Sequence, residues 1–351
     1  MPYEDDRNPV FAIKNSNKRF VSINIKSEVG REAIMKLLSD ADVFLTNVRG
    51  ASLKRNGLDY ETLKEKFPRL VYAHFTGYGP KGPDANDPGF DSTAFWLRSG
   101  GQNEWQVKGA YPFKPTYAFG DMATSSTFLA GILMALYGRE KTGRGTKVET
   151  SLLASGIWCN ATGIVATQFE RKHLNPDPEN RTDPLSEYYM CKDGRWIMVC
   201  ENEYKRDKDK YFKVLGLDYL IGDPRVETIE ALNESGMVKE VFEQFEKKFA
   251  EKTSKELRKM FIAENISCEI MCEMNEVARD PQAIENGYVE ELEFGGGMKV
   301  MMPSPPIFFS EYGRKPYDIT GPLGRDTDEV FSELGYSREE IAEMKAEGVI
   351  K

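Results

Sequence analysis

Few residues in this chain can do chemistry, and their scarcity narrows the reaction. Its 351 residues include two histidines, His74 and His173, and five cysteines, Cys159, Cys191, Cys200, Cys268 and Cys272. A Ser-His-Asp or Cys-His arrangement would have to use one of those two histidines, and a site of three or more histidines on a metal is excluded within one chain. No cysteine pair has the CxxC spacing; Cys268 and Cys272 stand four apart, the spacing of one helical turn. Such sparse, odd-numbered thiols fit a reducing cytosol better than a disulfide framework. Carboxylates remain. Asp121, in Phe119-Gly120-Asp121-Met122, immediately precedes a long, mostly apolar helical pattern. It can serve as the N-cap of that helix. It can also serve as a nucleophile, because the helix dipole keeps it ionised and the glycine before it lets a substrate approach closely.

Three glycine-rich stretches invite a nucleotide reading, and their contexts argue against it. Gly77-Tyr78-Gly79-Pro80-Lys81-Gly82 matches GxGxxG directly after a strand pattern. A dinucleotide fingerprint must open a helix, however, and Pro80, Pro83 and Pro88 forbid one. A nucleotide-dependent oxidoreductase therefore rests on this stretch alone. Gly138–Gly145 has Arg144-Gly145 where a P-loop has Lys-[Ser/Thr], and it follows a helix rather than a strand, as a C-terminal turn would. Gly295-Gly296-Gly297, between two apolar segments, suits a hairpin turn.

The elements that must position Asp121 alternate between strand and helix. Strands are expected at Phe20–Ile25, Asp42–Leu45, Leu70–Phe75 and Lys147–Ser151. Helices are expected from about Glu28 to Ser39 behind Ser27, over Tyr60–Lys66 behind Asp59, over Met122–Tyr137, and over Leu152–Glu170 up to the basic Arg171-Lys172-His173. This order implies an α/β fold with a Rossmann-like parallel sheet. Tyr78–Pro115, rich in Gly, Pro, Asp and Asn, is the long irregular stretch most suited to function. Two apolar runs around Asp193-Gly194 predict a type I′ hairpin. Proline-rich punctuation at 174–186 and after Met302 divides the chain into a large domain over 1–175, a smaller α+β domain over 185–300, and a segment over 301–351 that returns to the large domain. Final helices are expected at Asp328–Leu334 and from about Ser337.

Composition excludes further classes. With 47 Lys+Arg against 56 Asp+Glu the net charge is −9, unsuited to a general nucleic-acid binder. No apolar run approaches the roughly 20 residues of a membrane span, and the acidic MPYEDDRNP start does not read as a signal peptide. A cytoplasmic protein without a membrane partner is expected.

Taken in order, Asn17-Lys18-Arg19, Ala41-Asp42-Val43 leading to Asn47, Arg55-Asn56-Gly57-Leu58-Asp59-Tyr60, Thr76-Gly77-Tyr78-Gly79, Pro88-Gly89-Phe90-Asp91, Gly120-Asp121, Lys141-Thr142-Gly143-Arg144-Gly145 and Gly321-Pro322-Leu323-Gly324 resemble the class III CoA-transferases. Within that family the chain is most similar to the branch acting on 2-hydroxy acids from amino-acid fermentation, such as phenyllactate or 2-hydroxyisocaproate. The resemblance implies transfer of coenzyme A between an acyl-CoA and a carboxylic acid, with no metal. Asp121, in its Gly120-Asp121 motif, would be the covalent nucleophile. Asp91 would orient Asp121 or share its proton; it could equally be a loop aspartate bonding its own backbone. Asn47 and Arg55 would contact CoA, joined by Lys18, Arg19 and Phe90; Arg55 also reads as a solvated charge beside a helix. The family's interlocked homodimer is expected; family members begin with a further βαβ-like segment of about 30 or more residues that this sequence does not show, so an exposed sheet edge or a hole in the core is also expected. A non-catalytic, CoA-binding paralogue is the alternative reading.

Overall fold

The computed structural model describes residues 8–169, 176–313, 317 and 321–351. The chain divides into two compact units: Met1–Pro176 with Glu293–Met298 and Ser310–Lys351, and Asp177–Leu292 with Lys299–Phe309.

The first unit opens with α1 (Pro9–Asn15) and α2 (Glu28–Ser39), the latter capped by Ser27 Oγ, which accepts from Gly30 N–H at 3.0 Å. Then come β1 (Val43–Thr46), α3 (Gly50–Arg55), α4 (Tyr60–Lys66), β2 (Val71–Thr76), a π-helical stretch over Asp91–Leu97, α5 (Gly101–Trp105), α6 (Phe119–Thr142), β3 (Lys147–Ser151), α7 (Leu152–Cys159) and α8 (Ala161–Ala166). The three strands form a parallel sheet in the order β1-β2-β3, with Leu45 opposite Ala73 and His74 opposite Glu149. Strand β2 is central, so Val71, Tyr72, Ala73 and His74 are all buried, as in a strand covered on both faces. Tyr72 packs with Leu38, Leu53, Leu58 and Leu63 on one face. Ala73 packs with Phe128 and Ile132 of α6 on the other. Strand β1 is an edge, and its Leu45 is 59% exposed.

Helix α6 is longer than its expected Met122–Tyr137 core, and its C-terminus explains the Gly138–Gly145 motif. Gly143, at φ +72°, takes the left-handed cap position and donates its N–H to Arg139 O at 2.8 Å. A Cβ on Gly145 would run into the Leu70 carbonyl. The buried Arg139 reaches Asp42 Oδ1 at 2.8 Å and the carbonyls of Asp42 and Arg69 at 3.4 Å, clamping this end of α6 to the starts of β1 and β2. Among the described residues α6 alone has the length and apolarity of a membrane span, which the sequence reading did not find, because its Ser, Thr and Gly residues interrupt the apolar run. Phe128 and Ile132 nevertheless pack it on the sheet.

The expected helix over Leu152–Glu170 is broken. Asn160 turns its Nδ2 back to Gly156 O (2.8 Å) and across to Ser99 Oγ (3.1 Å), ending α7; α8 and a short 3₁₀ turn over Thr167–Phe169 follow. Arg171-Lys172-His173 lies outside the described residues.

The second unit holds β4 (Ser186–Met190), β5 (Trp196–Cys200), α9 (Tyr204–Leu215), α10 (Ile229–Glu234), α11 (Val238–Ala250), α12 (Ser254–Ala263), β6 (Cys268–Ile270), α13 (Met274–Val277) and α14 (Pro281–Glu285). Strands β4, β5 and β6 are antiparallel neighbours over a core of Tyr189, Tyr211, Phe212, Phe245, Phe249 and Phe261. The hairpin at Asp193-Gly194 has a three-residue loop instead of the expected two-residue type I′ turn. Cys191 N–H bonds Arg195 O (2.8 Å) and Gly194 sits at φ +73°, the pattern of a type I turn with a glycine bulge. The loop frees Asp193 to accept from Ser254 Oγ at 2.8 Å at the start of α12. All five cysteines are free, and Cys268 lies on a strand, so its spacing to Cys272 is not a helical turn. The two-stranded sheet of β7 (Val289–Phe294) and β8 (Met298–Pro303) turns through the three glycines Gly295–Gly297.

Helices α15 (Thr327–Glu333) and α16 (Arg338–Ala346), the second opened by a Ser337–Glu340 capping box, complete the first unit. They overturn the expected strand at Phe20–Ile25. Phe20 N–H donates to Asp326 Oδ2 (2.6 Å) and Ser22 N–H to Thr327 Oγ1 (3.1 Å), so side chains take the donors a ladder would need. Only a single bridge, Ile23 to Ile350, survives, while Val21 and Ile23 pack against Phe331 and Ile341. Arg139→Ala is expected to lower stability by about 2 kcal/mol, the cost of losing charge-assisted bonds to a buried helix end, read as a shift of the denaturant midpoint.

Candidate active site

Helix α6 is entered through two consecutive non-glycine residues in the left-handed region, Tyr117 at φ +62° and Ala118 at φ +55°. Each such residue costs about 1–2 kcal/mol, a strain that concentrates where function demands a particular geometry. Ala118 occupies the N-cap and offers no side-chain acceptor. Asp121 is therefore not the cap but the third helical residue, with its carboxylate uncommitted to the helix backbone. Thr124 Oγ1 and Ser125 Oγ return to the carbonyls of Gly120 and Asp121, both at 2.7 Å, tightening this first turn.

The residue before Asp121 must be glycine. Gly120 is buried against the π-helical stretch, where a Cβ would lie 2.5 Å from Asp91 Oδ1 and 2.6 Å from Phe95 Cδ1. The close approach lets Gly120 N–H donate to Asp91 Oδ1 at 3.1 Å. Asp91 thus anchors the helix start that carries Asp121. Behind it Trp96 is buried, ringed by Phe95, Trp105, Phe113 and Phe119 at centroid distances of 5.2–5.7 Å. Its indole Nε1 has no hydrogen-bond partner, though it lies close enough to Asp91 to favour that carboxylate's charge.

Burial raises the Asp121 carboxyl above the usual range, against the positive charge of Lys14 on α1. Burial also raises Asp91, and so does the neighbouring Asp121 charge; the Gly120 N–H, Trp96 and Lys14 act the other way. The two carboxyls form one coupled, partly desolvated site.

Two hollows meet beside it. A cavity of about 410 Å³ lies at the C-terminal ends of β1 and β2, the position where open α/β sheets receive ligands. Asn47, Arg49, His74, Gly77, Phe90 and Lys147 are among its lining residues. Gly77 and Gly89 touch there backbone to backbone, a Cβ on either falling 2.7 Å from the other's Cα. An apolar trough of about 470 Å³ runs along α6 from Asp121 past Ser125, Phe128, Leu129 and Ile132, walled by Leu45 and Phe75. Asn47, just past the end of β1, lines both hollows.

Of the sequence candidates, the structure brings together Asp121, Gly120 and Asp91 at the helix start, and Asn47 and Phe90 at the cavity. It leaves three cations elsewhere. Arg55 is exposed at the end of α3 and outside the cavity lining. Lys18 caps α1, its Nζ 2.9 Å from Lys14 O. Arg19 pairs with Glu333 at 2.7 Å. Sequence reasoning missed Arg49 and Lys14. Arg49 stands at the N-terminus of α3, and an arginine two residues past Asn47 was the available signal. Among the described residues no group of three or more His, Cys, Asp or Glu is arranged to hold a metal ion.

Comparison with known proteins adds the chemistry of relatives. A family model described as CoA-transferase family III matches residues 1–327. Cinnamoyl-CoA:phenyllactate CoA-transferase of Clostridium sporogenes is 35% identical over 98% of this chain and 84% of its own. (R)-2-hydroxy-4-methylpentanoate CoA-transferase of Clostridioides difficile is 34% identical over 100% of this chain and 87% of its own. A CAIB/BAIF family protein from Brucella suis shares the fold, with a TM-score of 0.77 at 23% identity over 92% of this chain and 83% of its own.

Gly120→Ala is expected to cut turnover by about 100-fold or more, since displacement of a reacting group by an ångström has that scale of effect, with the acyl-CoA KM read alongside. Asp121→Asn is expected to raise the melting temperature at neutral pH. A carboxyl with a raised folded-state pKa favours folding only while protonated, and that contribution is lost as pH rises through its folded value. The gain from Asn should therefore shrink as pH is lowered toward the ordinary carboxylate range, which melts across a pH series would record.

Proposed function

The chain belongs to CoA-transferase family III, and from that premise we propose that it moves coenzyme A between an acyl-CoA and a carboxylic acid through a covalent intermediate on Asp121. The observation that carries this reading is the position of Asp121. It is a half-buried carboxylate in the first turn of α6, free of any capping duty, on the wall of an apolar trough that shares Asn47 with a cavity holding Arg49 and Lys147. The cavity suits the phosphorylated end of a CoA ester at Arg49, whose guanidinium binds phosphate, while Lys147 is paired with Glu149, which lines the cavity with Asp59 and Asp87. Asn47 then stands where the thioester passes toward Asp121.

Asp121 attacks the thioester carbonyl; a C–O bond forms, the C–S bond breaks, and a mixed anhydride and CoA thiolate result. The thiolate attacks the Asp121 carbonyl of that anhydride, releasing the first acid and leaving Asp121 as the CoA thioester. The acceptor carboxylate attacks this thioester, giving a second anhydride and thiolate. Thiolate attack on the new acyl carbonyl then yields the product ester and restores Asp121. No water is consumed, and partial burial of the site protects the two aspartyl anhydrides and the aspartyl thioester from hydrolysis. Asp91 contributes by holding Gly120 N–H, so the helix start stays fixed through four changes at its neighbour.

The trough's Leu45, Phe75, Phe128, Leu129 and Ile132 favour an acid with a hydrocarbon side chain over a small dicarboxylate. Phenyllactate and 2-hydroxy-4-methylpentanoate, the acids in the relatives' names, are of that kind. A homodimer would give the exposed Leu133, Met134 and Tyr137 of α6 a covering surface.

Incubation with an aryl- or branched-acyl-CoA and hydroxylamine, followed by peptide mass spectrometry, should find a hydroxamate on Asp121 and none in Asp121→Asn. Tight CoA binding with neither hydroxamate nor turnover would instead identify a non-catalytic CoA-binding protein. Among acceptor acids, phenyllactate and 2-hydroxy-4-methylpentanoate should outcompete oxalate and glutarate.

A further inference from the structure

His74 is a buried imidazole that the transfer chemistry does not use. It lies on central strand β2, is 6% exposed, and reaches the wall of the cavity that carries Asn47 and Arg49. Its ring stands edge-on to Tyr72, with centroids 6.3 Å apart, so packing holds it in one orientation. Nε2 is 3.0 Å from the carbonyl oxygen of Val48. A carbonyl can only accept, so Nε2 carries the proton. Nδ1 faces Glu149 Oε1 at 3.7 Å, beyond hydrogen-bond distance, and that carboxylate is itself held by Lys147 Nζ at 2.6 Å.

Val48 has no other means of being held so firmly. Its N–H donates to Thr46 Oγ1 at 3.1 Å and its carbonyl accepts from His74, so both polar backbone atoms are fixed by side chains. The residues on either side, Asn47 and Arg49, both line the cavity, as does Gly50, and Arg49 also opens α3. Rotation of the Val48 peptide would swing both away.

We infer that His74 is a positioning residue for the CoA ester: by clamping the Val48 carbonyl it sets the Asn47–Arg49 turn in the conformation that binds the ester. This rests on the reading of the cavity as the CoA site. The expected signature is confined to binding. His74→Phe keeps a ring but cannot donate; it should raise the acyl-CoA KM and the CoA dissociation constant roughly tenfold, the scale of one lost hydrogen bond with some loss of order. Saturated kcat should change much less, because Asp121 is untouched. His74→Gln, whose amide can still donate, should recover most of the affinity; should the Phe variant fail to fold, His74→Leu, which also cannot donate, takes its place against the Gln variant. Arg49→Ala is the reference. If Arg49→Ala weakens CoA binding while His74→Phe leaves it unchanged, the clamp is refuted and the cavity assignment stands. If Arg49→Ala has no effect on binding, the cavity assignment itself falls and the clamp with it. A fall in kcat equal to the rise in KM would equally overturn a purely positioning role.

Discussion

The hydrogen bond from Gly120 N–H to Asp91 Oδ1, made possible because Gly120 has no side chain, is the constraint on which the rest of this site depends. It draws the start of a 24-residue helix against the π-helical stretch, closer than any residue with a Cβ would allow. The left-handed turn at Tyr117 and Ala118 follows from that approach, since the chain must enter the helix steeply. So does the exposure of the Asp121 carboxylate to the trough, and so does the pressure of the Asp121 charge on the half-buried Asp91. A carboxylate raised by burial is less stabilised as an anion than one in water, which makes its ionised form a better nucleophile toward a thioester carbonyl.

The other end of α6 is fixed just as firmly. Arg139 ties it to Asp42 and the carbonyl of Arg69, and Gly143 and Gly145 turn the chain tightly into β3. The helix is thus a strut between the sheet's N-terminal edge, where it is clamped, and its C-terminal edge, where ligands meet open α/β sheets. Asn47 and Asp121 reach the same trough because β1 and α6 are held at a fixed offset by this clamp. Beyond the trough, Leu133, Met134 and Tyr137 of α6 remain exposed.

Much of this was legible from residue type and spacing. Ser27 and Asp59 announced α2 and α4 because capping is local chemistry, and the strands β1, β2 and β3 followed from short apolar runs. The prolines after Gly77-Tyr78-Gly79 do forbid a helix there, and bends and turns follow β2 instead. What escaped was non-local. Phe20–Ile25 has a strand's composition, yet Asp326 and Thr327, some 300 residues later, take its backbone donors. Asp121 looked like a cap because no sequence rule anticipates two left-handed non-glycine residues before a helix. Arg55, Lys18 and Arg19 lie outside the cavity lining, whereas Arg49 lines it and was marked only by its distance from Asn47. That Asp91 would orient Asp121 or share its proton was legible as a possibility; the bond it makes to Gly120 N–H was not.

The most direct test of the account follows oxygen. When the acceptor acid carries ¹⁸O in its carboxylate, passage through an anhydride with Asp121 leaves one acceptor oxygen on the aspartate each time the new ester forms. After a single turnover with labelled acid, the account predicts that the peptide containing Asp121 gains the mass of one ¹⁸O substitution. Full turnover with that peptide unlabelled would contradict it, because CoA would then have reached the acceptor acid without the Asp121 carboxylate ever having been joined to that acid.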